Sequence, residues 1–143
     1  MPKPFPKKSK ARKLTVSKVQ ILFNEAIRRR DVACITCHAT ENLQSSHFIA
    51  VGGSGGLRFY PPNAHAQCCG CHRFVFHMGD VMPYVNWMRS NVDELDWMDA
   101  NKKGEIKYNQ AVLSIIKALC ESDQLDDLTK YIEGKLSQRK IKL

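Results

Sequence analysis

Between Thr15 and Arg30 the apolar side chains Val19, Leu22, Phe23, Ala26 and Ile27 recur at helical spacing. This predicts one amphipathic helix, with Arg28, Arg29 and Arg30 placed where the C-terminal end of the helix dipole favours cations. Two short segments follow, residues 44 to 50 and 57 to 60, separated by Gly52, Gly53, Gly55 and Gly56, and they predict a β-hairpin with a mobile turn. Residues 72 to 91 read as mostly helical with an interruption near Gly79, since Asp80 can cap a turn and Pro83 suits an early helical position. A short helix is expected from Asp93 to Ala100. Further on, Val112, Ile115, Ile116 and Leu119 share one helical face, and Leu125, Leu128, Ile132 and Leu136 another. The acidic stretch Glu121 to Asp127 joins them, so the C-terminal third is a helical hairpin whose expected role is packing support.

The first thirteen residues break the pattern. They combine three prolines and six basic residues without apolar periodicity, as in a flexible phosphate-contacting arm or a plain solvated tail. The expected organisation is a basic arm at 1–13, a central domain at 14–100, and a helical extension at 101–143 packed on that same domain.

Charge narrows the partners. Lys and Arg outnumber Asp and Glu by 22 to 14, a formal net charge of +8 that suits a polyanion, with DNA the leading candidate. No apolar run approaches a membrane-spanning length and the N-terminus reads without a signal h-region, so a soluble intracellular protein with no membrane partner is expected.

Four of the six cysteines form two CxxC pairs, Cys34/Cys37 and Cys68/Cys71. Two such turns can each point two thiolates at one ion, so a closed, structural Zn²⁺ site is expected, joining the two ends of the intervening hairpin. Redox chemistry at either pair would give no reason for the second pair. Cys69, inside the second turn, is a substitute ligand; Cys120, on an apolar helical face, is expected to be a buried free thiol.

His47, Asn63 and His72 are spaced informatively around these cysteines: Asn63 lies five residues before Cys68 and His72 directly after Cys71. The segment NAHAQCCGCH, residues 63 to 72, resembles the HNH, or ββα-metal, nuclease motif. The longer stretch SHFIAVGGSGGLRFYPPNAHAQCCGCHRF, residues 46 to 74, followed by Gly79, Asp80 and Tyr84, is similar to the NinG/Rap recombination nuclease family of lambdoid phages. The similarity runs from about Phe23 to Trp97. It implies an α+β fold: a small zinc-stabilised ββα-metal core with an N-terminal helix and a C-terminal helical extension. It further implies a metal-dependent endodeoxyribonuclease acting on branched recombination intermediates in the cytoplasm of the bacterial host. The roles implied are His47 as general base, Asn63 as the hydrogen-bond partner that orients it, and His72 as a ligand of a catalytic Mg²⁺ or Mn²⁺ distinct from the zinc.

Many HNH enzymes carry an acidic metal ligand directly before the base; Ser46 stands there, a poor ligand for a hard cation. His65 is the expected replacement, turned by its alternation with Asn63, and His77 is a further candidate ligand. His38, beside the first CxxC turn, is expected to be merely exposed. Arg58 and Arg73 are candidate phosphate clamps, because a guanidinium pairs with phosphate oxygens in a bidentate manner. Phe59, Tyr60 and Phe74 are candidates for stacking on bases. A symmetric junction would call for two active sites, which a C₂ homodimer supplies. The competing class is a non-catalytic zinc-bearing DNA-binding accessory protein, followed by a zinc-dependent protein-interaction module.

Overall fold

The computed structural model describes residues 1–5 and 12–140, so the middle of the basic arm lies outside the described residues. Helix α1, Val16–Asp31, starts where the Thr15 side chain accepts a hydrogen bond from the Lys18 N–H, and it buries Val19, Phe23, Ala26 and Ile27. Its end is unusual. Val32 has φ 65° and ψ −32°, and the Ala33 N–H donates to the Asp31 carbonyl at 2.7 Å, closing a tight γ-turn around a β-branched residue.

Strands β1, Leu43–His47, and β2, Ala64–Cys68, pair antiparallel, with Ser46 opposite His65 and His47 opposite Ala64. The second strand is therefore not residues 57 to 60. Pro61 and Pro62 form a 3₁₀ turn, Pro61–Asn63, which delays re-entry into the sheet until Ala64. The connection is tethered to the C-terminal third rather than free. Gly56 N–H donates to the Gly104 carbonyl at 2.8 Å and Tyr108 Oη–H to the Gly55 carbonyl at 2.6 Å. Gly56 must lack a side chain, because a Cβ there would lie 2.5 Å from Leu136 Cδ2 and 3.0 Å from the Gly104 oxygen.

The outer edge of β2 is covered by α1 and the chain after it. Arg30 Nη2 donates to the Ala64 carbonyl at 2.6 Å and Nη1 to the Pro61 carbonyl at 3.1 Å; Asp31 Oδ2 accepts from the Ala66 N–H at 2.8 Å. The Ile35 N–H completes the edge by donating to the Ala66 carbonyl.

After Cys68 the chain enters a π-helical segment, Gly70–Phe76, then α2, Met82–Asn91, and α3, Leu95–Asn101. The interruption near Gly79 is present, with φ +105° at that glycine. The C-terminal pair is α4, Gln110–Glu121, capped by Asn109, and α5, Leu125–Lys140. Val112, Leu113, Ile116, Leu128, Ile132 and Leu136 join Phe23, Ile27, Phe59 and Tyr60 in one continuous core. No helix among the described residues is long and apolar enough to cross a membrane.

Candidate functional site

The two CxxC turns meet. The Sγ atoms of Cys34, Cys37, Cys68 and Cys71 all lie within 4.8 Å of one another, and Cys37 and Cys68 are 3.6 Å apart. A tetrahedral zinc with bonds of about 2.3 Å requires sulfur–sulfur edges of about 3.8 Å, so the quartet is compatible with structural zinc. His38 adopts φ 67°, turning the chain so that its N–H reaches the Cys34 carbonyl at 2.9 Å, while the Cys71 N–H donates to Cys68 Sγ.

The protons of these thiols also favour a cation. Burial pushes the Cys34 thiol up, but hydrogen bonds from the Thr36 hydroxyl and from the backbone at Cys68, Cys37 and Thr36 outweigh it and bring the thiol down to about 6. Burial, together with the Cys68, Cys37 and Cys34 thiols and against the Thr36 hydrogen bond, pushes Cys71 up to about 12. Ionising all four sulfurs this close together would require a positive centre. Cys120 is a buried free thiol, with burial pushing it up to about 12, as its helical face implied.

A second cluster lies where β1 faces the π-helical segment, around a cavity of about 380 Å³ lined by Ser45, His47, His72 and His77 on its polar side. His47 sits parallel to the Phe23 ring of α1, centroids 6.2 Å apart, and its Nε2–H donates to the Arg58 carbonyl at 2.9 Å. A carbonyl can only accept, so the neutral ring keeps its lone pair on Nδ1. Burial is the main influence lowering the His47 pKa; the Arg58 carbonyl opposes it and the Arg58 charge adds to it. The ring is therefore neutral at pH 7.

His72 Nδ1–H donates to Gln44 Oε1 at 2.7 Å, which leaves Nε2 with its lone pair. That atom lies 2.9 Å from His77 Nε2. Two adjacent imidazole ligands of an octahedral ion, with bonds of about 2.1 Å, are separated by about 3.0 Å, so this pair fits a divalent cation. The π-helical backbone makes the pairing. Residues five apart lie about 140° apart around an α-helix, whereas here the His77 N–H reaches the His72 carbonyl and both rings share one side. Burial lowers the His72 pKa, helped by the charges of His77, Arg73 and His47.

Four expectations change. His65 does not line the cavity with His72; it sits opposite Ser46, on the face of the sheet away from His47. There it is 4% exposed, donates from Nδ1 to Tyr84 Oη at 3.2 Å and packs edge-on to Trp87. Asn63 does not bond the His47 ring. Its Oδ1 accepts from the Ile49 N–H at 2.8 Å and its Nδ2 donates to the Ile49 carbonyl at 3.0 Å, so it holds the backbone just past His47. Arg58 is engaged internally, donating to the Gly52 carbonyl and Gln20 Oε1, whereas Arg73 is exposed. Of the aromatic residues considered for stacking, Phe59 and Tyr60 are buried in the core; Phe74 is 72% exposed. Sequence reasoning left His77 at the margin and missed Gln44; only knowledge of the π-helical turn would have raised both.

The family model described as Bacteriophage Lambda NinG protein matches residues 5–126. This chain belongs to the NinG family. The NinG match takes in both cysteine pairs, the three histidines of the cavity and the whole of α4. No curated protein and no solved structure matches the chain.

Proposed function

We propose that this chain is a metal-dependent DNA endonuclease of the HNH type, hydrolysing phosphodiester bonds and acting in phage recombination on branched DNA. The observation that carries the reading is the convergence of His47, His72 and His77 on one cavity, 380 Å³ in volume, in a chain of net charge +8. Hydrolysis requires an activated water and stabilisation of charge on the phosphorus centre. His47, neutral and fixed through Nε2, accepts the water proton at Nδ1. Asn63 positions that strand end through the Ile49 backbone. His72 and His77 are the residues that would hold the catalytic ion, in place of the His72 and His65 pair expected from sequence. Held there, a divalent ion would supply Lewis-acid stabilisation of the phosphate and the leaving oxygen. An all-imidazole protein set favours Mn²⁺, Co²⁺ or Ni²⁺ over Mg²⁺. Arg73 is free to meet a phosphate; Arg58 acts indirectly, through its carbonyl on His47. The cysteine quartet is a scaffold, holding β2 at Cys68.

One observation favours a non-catalytic, zinc-bearing DNA-binding accessory role: among the described residues no carboxylate lines the cavity, and buried Ser46 faces away from it. The two readings separate on linear, single-stranded, flap and four-way-junction DNA, each incubated with EDTA, Mg²⁺ or Mn²⁺. Manganese-dependent cutting that His47→Ala abolishes, with DNA binding and zinc content retained, is expected. Binding without cutting in every metal sinks the endonuclease. Analytical ultracentrifugation on junction DNA tests whether two copies act together, as a C₂ pair would.

A further inference from the structure

The lining of the cavity beside the histidines is of two unlike kinds. Phe48 and Phe76 also line it, both packed on Tyr84 with ring centroids 5.2 Å and 5.1 Å away, and Ala50 and Val51 complete its apolar part. Phe48 lies nearly parallel to Tyr84, at 16°, so one ring face is backed while the same residue lines the cavity. On the polar side, Ser45 stands two residues before His47 on the same face of β1, and its Oγ is buried without a hydrogen-bond partner. A buried orphan hydroxyl costs stability unless a ligand completes it.

This pairing of a phosphate-handling edge with a backed aromatic wall suits a nucleotide rather than a phosphate alone. In stacked duplex DNA the bases point to the helix axis and are withheld from a pocket that holds their phosphate. We infer that the cavity takes one unpaired nucleotide, its base against Phe48 and its phosphate toward Ser45 and the histidines, so that unpaired strand is the preferred ligand of this site. The inference rests on the phosphodiesterase reading of the same histidines and adds to it a determinant for base exposure. The Ser45 hydroxyl donates to a phosphate oxygen, and Phe48 supplies a stacking platform that is indifferent to base identity.

The test uses the zinc-loaded full chain, EDTA-free buffer without added Mg²⁺ or Mn²⁺, and a short single strand carrying 2-aminopurine, compared with the same strand in duplex. The expected result is tighter binding of the single strand, with quenching of the 2-aminopurine as it stacks. Phe48→Leu, which keeps an apolar side chain on Tyr84, weakens single-strand binding about 5- to 160-fold, the span of one base–aromatic stack, and abolishes the quenching. Ser45→Ala weakens the single strand while leaving duplex affinity unchanged. Equal affinity of the parent protein for single strand and duplex, or parental quenching in a folded Phe48→Leu protein, overturns the inference. Quenched single-strand binding without cutting in any metal leaves the pocket standing and removes the endonuclease; cutting of intact duplex with no quenching does the reverse.

Discussion

The clamp formed by Arg30 and Asp31 makes a quantitative prediction. Arg30 donates to the Ala64 and Pro61 carbonyls and pairs in bidentate fashion with Asp31 at 2.8 Å and 3.1 Å. Its side chain is 30% exposed and that of Asp31 only 12%. Arg30→Met keeps the aliphatic stem but leaves two carbonyls of buried residues short of a donor and a largely buried carboxylate without its cation. Each orphaned carbonyl costs about 1–3 kcal/mol. Because the guanidinium is partly solvated and the losses share partners, the total expected is about 3 kcal/mol. With a urea m value of about 2 kcal/mol/M, the unfolding midpoint of the zinc-loaded protein falls by about 1.5 M at unchanged m. Arg30→Lys, which cannot reach both carbonyls and Asp31 together, falls in between. Asp31→Asn combined with Arg30→Met costs less than the sum of the two. A midpoint for Arg30→Met within about 0.3 M of the parent refutes the clamp.

Val32→Gly relieves a β-branched side chain at φ 65°, and since Val32 is 66% exposed little burial is lost; a gain of about 1 kcal/mol is expected, read as a Tm rise of about 3 °C by calorimetry. A lower Tm contradicts the strain. Burial, aided by the Arg30 charge and opposed by that of Asp31, pushes His65 down to about 3, below its unfolded value of about 6.5. The unfolded chain then binds the extra proton, so this contribution is full above pH 6.5 and is lost as pH falls toward 3. Between pH 7 and pH 5 the parent should lose about 2 kcal/mol more than His65→Gln in urea titrations; parallel losses would remove His65 as the cause. Cys68→Ala should abolish zinc retention and the antiparallel pairing, whereas Cys120→Ala should keep one zinc per chain by elemental analysis. Stoichiometric zinc in folded Cys68→Ala overturns the quartet.

Helices α1, α4 and α5 were legible because their buried faces repeat at the helical period, although on α4 Ile115 is 42% exposed and Leu113 and Cys120 complete the buried face with Val112 and Ile116; the cysteine quartet was legible because its spacing carries its chemistry. The second strand was not. Ala64–Cys68, AHAQC, has little of the β-branched or aromatic character that marks a strand; it pairs because Asn63 and Cys68 are anchored at its ends and Arg30 and Asp31 cover its edge. His65 was misjudged for the same reason: without the register, the side of the sheet it faces is unknown. The His72 and His77 pairing depends on a backbone that departs from the α-helix, which residue periodicity does not announce. Asn63 bonds the Ile49 backbone and not the His47 ring, and a hydrogen bond to backbone leaves no trace in its partners' identities.

The suspension of β2 between two anchors separates what this strand must keep from what it can change. Apart from His65, which is bonded to Tyr84, its inner positions need only be small or compatible with the sheet, but the count of residues from Asn63 to Cys68 is rigid. Deleting one would exchange the two faces and draw the histidine edge and the sulfur cluster out of step together. The strand serves as a ruler between two chemistries, and substitutions along it should be tolerated far better than any change in its length.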